Sequence, residues 1–254
     1  MYAEERQQAI AALIAQRGRM AVTQLSDLYG VTTETVRRDF AVLEKAGLIR
    51  RVHGGAIPAN ALTIELGTAE REQSRTAEKD RIGKAALEYL PPTGGSVLID
   101  AGTTTDRAAF YLPTDRDLLV VTNSIPIASR VSAFGGIRLH LLGGRVRGVT
   151  LAAVGDEALG VLSHLRVDVA FVGTNGITTR HGLSTPDSDE AAVKRAIVAA
   201  ARQVVVLADS SKVGREDFVS FAPLAQVDTI ITDTDLRPSD RDELLAADVE
   251  VVTA

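Results

Sequence analysis

Apolar residues recur every three to four positions through the first part of the chain, which is the spacing of one buried helical face. This spacing predicts a helix over 3–16 and a shorter helix over 23–29. Gly30 supplies the turn that follows, and the Thr32 hydroxyl is placed to cap a third helix. The third helix would bury Val36, Phe40 and Leu43. Two helices joined by a short turn containing glycine are typical of a helix-turn-helix.

The opposite face of the third helix predicts a contact with DNA. Short polar side chains and two arginines face outward near the helix N-terminus, where a recognition helix needs groups that reach base edges and phosphates. Residues 48–57 have the pattern of a hairpin whose basic side chains would lie beside the DNA backbone as a wing. The predicted DNA-contacting residues are Thr33, Glu34, Thr35, Arg37, Arg38, Arg50, Arg51 and His53. The alternative is a surface hairpin on a three-helix bundle with scattered charges.

Beyond residue 79 the pattern changes to helices that alternate with short, continuously apolar strands. Helices are predicted over 82–90, 106–112, 125–134, 156–165, 190–202 and 240–247. Strands are predicted over 96–99, 118–121, 137–142, 169–172, 204–207, 229–231 and 249–252. Apolar strands between helices indicate a mostly parallel sheet covered on both faces. The fold class is therefore an all-α winged helix-turn-helix followed by an α/β domain with a mostly parallel sheet.

Small polar residues and glycines follow nearly every predicted strand. The clusters are 100–105, 122–124, 143–145, 173–176 and 209–212. Ligands of open α/β sheets bind at the carboxyl ends of the strands, so these clusters would line one edge. The three threonines at 103–105 open a helix and suit an anion, to which Lys212 and Arg145 could add charge. Asp100 and Asn123 could hold sugar hydroxyls. Each cluster alone could equally be a structural turn.

Charge and composition narrow the class of protein once the chain is divided. The net charge of −5 argues against a general nucleic-acid binder, but residues 1–58 hold eight basic and six acidic residues, a balance of +2. The remainder has a balance of −7. The chain has no cysteine, which excludes disulfides and thiolate metal sites and favours the cytoplasm. We expect no membrane span and no signal peptide, because no apolar run is long enough.

The run 31–40, followed by Leu43, Glu44, Gly47, Leu48, Arg51 and 53–56, resembles the N-terminal signature of the DeoR-type family of bacterial transcriptional regulators. Thr32 stands where the family usually has Ser, and Phe40 where it usually has Leu; both replacements keep the physical role. The later segments 99–105, 121–124, 142–144, 168–176, 182–184, 208–212 and 231–233 resemble the effector domain of the same family.

The resemblance implies a fold similar to ribose-5-phosphate isomerase and glucosamine-phosphate deaminase, and a phosphosugar inducer. Together with the strand-end clusters it implies the effector residues Lys79, Asp100, Gly102, Thr103, Thr104, Thr105, Thr122, Asn123, Ser124, Gly143, Gly144, Arg145, Gly173, Asn175, Asp209 and Lys212. The stretches 172–177 and 182–194 look most like the fructose-operon branch, which suggests fructose 1-phosphate.

These observations predict a winged helix-turn-helix over 1–58, a linker over 59–78 and a phosphosugar sensor over 79–254. The protein would bind double-stranded operator DNA as a homodimer or homotetramer and repress a sugar-catabolism operon until a phosphosugar releases it. We expect no cofactor, no metal and no catalytic residue.

Two alternatives stay open. One is a sugar-phosphate isomerase or deaminase with an appended domain, for which Asp100, Asp187, Asp189 and Glu190 are candidate bases. Asp187 is also a good helix cap, and the four histidines are widely separated in the sequence. The other is an architectural DNA-binding protein, which would not respond to a small molecule.

Overall fold

The computed structural model describes residues 3–17, 20–52, 54–58 and 67–254. The chain divides into two compact units, Met1–Ile64 and Glu65–Ala254. Of the predicted linker, residues 59–66 lie outside the described residues. Residues 67–78 belong to the second unit, where they form one short helix and the start of the next.

The first unit is a three-helix fold with a small antiparallel sheet. Its elements are α1 (Ala3–Arg17), β1 (Met20–Ala21), α2 (Val22–Tyr29), α3 (Thr33–Lys45), β2 (Ile49–Val52) and β3 (Gly55–Pro58). Gly30 ends α2 with a φ of 61°, and the Thr32 hydroxyl accepts the Thr35 N–H at 3.2 Å to cap α3. The apolar face of α3 packs in the core of this unit, as its spacing predicts. Strand β3 lies between β1 and β2, so a third strand completes the predicted wing.

The second unit is an α/β fold. Its elements are α4 (Thr68–Gln73), α5 (Thr76–Ala85), β4 (Ser96–Ile99), α6 (Thr103–Phe110), β5 (Leu118–Thr122), α7 (Ile125–Val131), β6 (Ile137–Leu141), β7 (Arg145–Arg147), β8 (Ala152–Val154), α8 (Asp156–Ser163), β9 (Val167–Val172), β10 (Gly176–Thr178), β11 (Gly182–Thr185), α9 (Ser188–Ala200), β12 (Ala201–Leu207), β13 (Val219–Ala222), β14 (Thr229–Thr232), α10 (Pro238–Leu245) and β15 (Glu250–Thr253).

Seven strands form one parallel sheet in the order β15-β14-β12-β9-β4-β5-β6. Two hydrophobic clusters include residues from these strands, as expected for a parallel sheet that helices cover on both faces. The predicted mostly parallel sheet is confirmed. The order of the strands reverses at β4, because β5 and β6 follow on one side of it and β9, β12, β14 and β15 on the other. The carboxyl ends of β4 and β9 therefore open a crevice at the sheet edge.

Two small antiparallel sheets were not predicted from the apolar pattern. Strands β7 and β8 form a hairpin, and β10, β11 and β13 form a three-stranded sheet in that order. Their strands are only three or four residues long, and β11 pairs with a strand more than thirty residues later, so no local periodicity marks them. Among the described residues, no helix is long and apolar enough to cross a membrane.

Candidate functional site

The outward face of α3 presents polar and charged groups beside its N-terminus. The side chains of Glu34, Arg37 and Arg38 are 61%, 62% and 81% exposed, whereas the apolar positions on the opposite face are buried. Thr33 and Thr35 are half-buried, and the Thr35 hydroxyl lies 2.9 Å from that of the cap residue Thr32. This amphipathic placement supports α3 as the helix that enters a DNA groove.

Glu34 and Glu44 of α3 form ion pairs with arginines of α3 and of the wing. The Glu34 carboxylate lies 3.6 Å from Arg37 Nη1 and 3.8 Å from Arg38 Nε. The Glu44 carboxylate accepts from both the backbone N–H and Nε of Arg51, at 2.8 and 2.6 Å, and these bonds lower its pKa. The second pair ties β2 of the wing to α3.

The wing forms as a hairpin, and part of its predicted contact surface lies outside the described residues. Arg51 lies on β2, with its side chain 53% exposed. His53 and the side chain of Arg50 lie outside the described residues. Thr33, Arg37 and Arg51 line one groove with Gly54, between α3 and the wing.

In the second unit a polar cavity opens at the carboxyl ends of β4, β9 and β12, under helix α4. Half of the predicted effector residues line it: Lys79, Gly102, Thr103, Thr104, Gly173, Asn175, Asp209 and Lys212. Eight residues outside the predicted effector set line it as well: Arg71, Ser74, Ala101, Thr174, Glu190, Lys194, Leu207 and Ser211. Of these, Ala101, Thr174 and Ser211 belong to the predicted strand-end clusters, and Glu190 is one of the candidate bases. The lining contains four cationic side chains and two carboxylates, so the cavity favours an anionic ligand.

Asp100 lies directly beneath the cavity and does not line it. It is 1% exposed, pairs with Lys194 Nζ and accepts the Gly173 N–H at 3.0 Å. Lys194 also donates to the Gly173 carbonyl at 2.9 Å. Burial raises the pKa of Asp100, and the ammonium group of Lys194 opposes that rise. This pair fixes the floor of the cavity where β4 and β9 end.

Lys79 extends from α5 under the C-terminus of α4. Its side chain is buried, and Nζ donates to the backbone carbonyls of Ser74, at 2.7 Å, and Arg71. Burial lowers the pKa of Lys79 from 10.5 to about 8. Asp209 opposes this shift, whereas the neighbouring charges of Lys212 and Arg71 add to it.

Lys212 and Arg71 complete a cluster of three cations. Burial lowers the pKa of Lys212 as well, and no hydrogen bond of its Nζ is present within the described part of the chain. Arg71 Nε is buried and has no hydrogen-bond partner among the described residues. A buried donor without a partner is uncommon in native proteins, so Arg71 Nε, beside two lysine ammonium groups, is suited to receive an oxygen of an anion.

The first turn of α6 faces the same cavity. The helix begins at Thr103, three residues earlier than predicted, because Gly102 accepts the Asp106 N–H at 2.9 Å. The early start places Thr103 and Thr104 at the cavity wall, where helix N-termini offer free N–H groups and a favourable dipole to anions.

Four predicted effector residues instead bond to backbone groups at or just after the strand ends. Thr105 and Thr122 each donate a bond of 2.6 Å to a backbone carbonyl at the end of β4. Asn123 accepts a backbone N–H of the loop after β4 at 3.0 Å, and Ser124 caps α7. None of the four lines the main cavity, although Ser124 lines a small neighbouring one.

The predicted cluster 143–145 lies at the start of the β7–β8 hairpin and does not line the cavity. Gly144 has a φ of 131°, and a Cβ there would approach the Val154 carbonyl oxygen to 2.6 Å, so its glycine is required for the hairpin. Gly143 is exposed, and Arg145 pairs with Asp189.

For two of the lining residues outside the predicted effector set, the sequence contained a sign of their burial. Glu190 and Lys194 are four residues apart on α9, on the face that also buries Ile197. Charged residues at inward helical positions are rarely buried without a partner, so such a pair indicates a polar site. Arg71 had no such signal, because the pattern around it is that of a linker.

Of the residues considered for catalysis, Glu190 lines the cavity and Asp100 lies beneath it, whereas Asp187 and Asp189 do not line it. Asp187 caps α9 by accepting the N–H groups of Asp189 and Glu190, as predicted. No histidine lines the cavity within the described residues, and those residues contain no cluster of side chains that could hold a metal ion.

A winged helix-turn-helix and an α/β unit with a cavity lined by cationic side chains are the parts of a ligand-responsive transcriptional regulator. Residues 6–61 match the DeoR-like helix-turn-helix domain, and residues 74–234 match the DeoR C terminal sensor domain. This chain belongs to the DeoR family, as its sequence indicates. It is a transcriptional repressor with a DNA-binding domain and a sugar-phosphate sensing domain.

The chain matches proteins named as transcriptional regulators over nearly their whole length. The chain is 38% identical over 252 residues to the HTH-type transcriptional regulator GlpR of Haloferax volcanii, covering 99% of this chain and 98% of that protein. It is 35% identical over 233 residues to the HTH-type transcriptional repressor GlcR of Bacillus subtilis, covering 92% and 89%. A more distant likeness is to ribose 5-phosphate isomerase A of Methanocaldococcus jannaschii, with 17% identity, 55% of each chain covered and a TM-score of 0.41.

Proposed function

We propose that the cavity under α4 binds a phosphorylated sugar whose phosphate group lies among Arg71, Lys79 and Lys212. The observation that carries this proposal is the cluster itself. Lys212 and Arg71 Nε lack hydrogen-bond partners within the described residues, and burial depresses both lysine pKa values. A dianionic phosphate would supply the missing acceptors and raise the pKa of both lysines.

The sugar would lie toward the opposite wall, which offers acceptors and neutral polar groups. Glu190 and Asn175 line the cavity there, and the Thr103 and Thr104 hydroxyls lie in the first turn of α6. A carboxylate accepts hydrogen bonds from hydroxyls but repels a second phosphate. We therefore infer a ligand with one phosphate and several hydroxyls, and fructose 1-phosphate is our specific candidate.

In the proposed cycle, α3 reads operator DNA in the absence of the sugar, and binding of the sugar lowers the affinity for DNA. We infer a homodimer or homotetramer, because one recognition helix with a local balance of +2 makes few contacts and symmetric subunits double them. A coupling of about 1–3 kcal/mol would change operator affinity roughly 5–150-fold.

The test begins by selecting tight-binding duplexes from a random pool with the full-length protein. A panel of fructose 1-phosphate, fructose 1,6-bisphosphate, glycerol 3-phosphate and deoxyribose 5-phosphate is then screened by calorimetry and by release of the labelled duplex. We expect one monophosphate to bind and to release the duplex. A panel in which nothing binds, or in which a bound sugar leaves duplex affinity unchanged, would contradict the proposal.

Variants separate the two halves of the function. R37A/R38A should lose duplex binding and keep the calorimetric signal, since each specific arginine contact contributes about 1–3 kcal/mol. K212A should keep duplex binding and lose the response to the sugar. Turnover of any sugar in the same mixtures would favour the enzyme alternative.

A further inference from the structure

Helix α4 is fastened at its N-terminal end to the β7–β8 hairpin. The backbone N–H and the hydroxyl of Thr68 both donate to the Val149 carbonyl, at 3.0 and 2.9 Å. The residue after Val149 turns back toward the cavity, because the Thr150 hydroxyl bonds to Glu190, which is 5% exposed and lines the cavity wall. Arg147 of the hairpin also pairs with Glu190, at 2.6 Å.

The C-terminal end of α4 is fastened by different groups. Lys79 Nζ donates to the carbonyls of Arg71 and Ser74, both in the last turn of α4 or directly after it. Arg75, the next residue, has a φ of 53°, a conformation that costs a non-glycine residue free energy unless its surroundings impose it. Its guanidinium is held by Asp233 at 3.3 Å and lies 3.9 Å from Asp209.

Both fastenings end in groups that face the cavity. At the C-terminal end of α4 the group is the Lys79 ammonium, on the side of the cavity where we place the phosphate, which we call the phosphate pole. At the N-terminal end of α4 the group is the Glu190 carboxylate, on the side of the cavity where we place the sugar hydroxyls, which we call the sugar pole. Helix α4 is also the first described element after residues 59–66, so its position fixes where the chain leaves the sensor unit.

We propose that α4 is the switch element of the sensor, and that an effector releases it only by engaging both poles at once. A phosphate competes with the Arg71 and Ser74 carbonyls for the Lys79 ammonium and keeps hold of the Arg71 guanidinium. The C-terminal end of α4 therefore moves with the ligand, and the end that is released is the N-terminal one at Thr68. A sugar hydroxyl that donates to Glu190 competes with the Thr150 hydroxyl for the same oxygen. An effector must therefore carry a phosphate and a correctly spaced hydroxyl, and inorganic phosphate binds without switching. This inference rests on the proposed function.

Thr68 offers a sharp test because it lies outside both proposed ligand poles. T68P removes the two donors to Val149, and proline is well tolerated at the first position of a helix. Gly67 has φ −59° and ψ 157°, the extended conformation that a following proline requires. T68S keeps both donors and is the matched control. T68V keeps the backbone donor alone and replaces T68P if that variant does not fold.

The measurements are duplex affinity without ligand, calorimetric affinity for the phosphosugar, and hydrogen exchange of the α4 amides. T68P should bind the selected duplex at least about fivefold more weakly than T68S, at the lower end of ordinary coupling. It should bind the phosphosugar more tightly than T68S, because a ligand that favours the released state gains when that state is already populated. Exchange over 68–73 should be faster. T68V should shift each quantity in the same direction by less.

The outcomes distinguish this inference from the proposed function. If T68P matches T68S in duplex affinity and in α4 exchange, α4 is not the switch, whichever sugar binds. If inorganic phosphate releases the duplex as fully as the phosphosugar, the two-pole requirement is wrong. If no phosphosugar binds the native protein, the proposed function fails, whereas a weaker duplex affinity of T68P still supports the switch.

Discussion

Raising the pH from 7 to 9 should weaken effector binding, because one of the groups that we assign to the phosphate loses its charge in this range. Burial lowers the pKa of Lys79 to about 8. Lys79 is thus mainly an ammonium at pH 7 and mainly a neutral amine at pH 9. Only the ammonium attracts a dianion.

The magnitude follows from the charged fraction. With a pKa of about 8, the ammonium form falls from roughly 0.9 at pH 7 to roughly 0.1 at pH 9, and the apparent Kd rises by the same factor, about tenfold or 1.4 kcal/mol. Lys212 adds to this loss, because burial lowers its pKa as well. Tenfold is therefore the full effect of Lys79 when its neutral form does not bind the ligand.

The assay is calorimetric titration at several pH values with two ligands, sulfate and the phosphosugar that binds best. Sulfate is included because its charge is constant over this pH range. K79R is the informative variant, since a guanidinium keeps its charge throughout. Its pH dependence should be shallower than that of the native protein. K79M should bind weakly at every pH. Equal slopes for the native protein and K79R would refute the assignment of Lys79 to the phosphate.

Thermal stability gives an independent check on the same group, with the sign fixed by proton linkage. The folded pKa of Lys79 is lowered, so between pH 8 and 10.5 the unfolded chain binds more protons than the folded one. The contribution of Lys79 to stability should therefore rise with pH across this window and be smallest below pH 8. The difference in melting temperature between the native protein and K79M should change in that direction.

Two further pairs of variants test residues that build or line the site. G176A should destabilise the protein by about 1–3 kcal/mol in a denaturant titration, because its Cβ would lie 2.4 Å from the Arg215 carbonyl oxygen. G173A should fold normally and weaken effector binding, because its Cβ would make only ordinary contacts from 3.7 Å. Equal unfolding midpoints for the two variants would contradict this. K194M should lower the free energy of unfolding by about 3–5 kcal/mol, because it leaves the buried Asp100 carboxylate without its partner. D100N/K194M should recover part of that loss in a double-mutant cycle, and strict additivity of the two changes would contradict the coupling.

Local patterns in the sequence determined the helices of the first unit and the strands of the large sheet, but not α4 or the two small antiparallel sheets. Helix α3 follows from the spacing of Val36, Phe40 and Leu43 with a threonine cap, and these features act within a few residues of one another. The strands of the large sheet follow from short apolar runs, since a strand buried on both faces has no polar side. The order of polar clusters after the strands also predicted the edge at which the cavity lies.

Tertiary structure alone decided which polar residues face that cavity. Thr105 and Asn123 stand in the predicted clusters but bond to neighbouring strand ends, because a crevice between strands needs its own backbone partners. Arg71 and Lys194 come from a predicted linker and from the middle of a helix, and they reach the cavity because α4 and α9 pack beside the sheet edge. Such contacts join residues far apart in the chain, so no local periodicity records them.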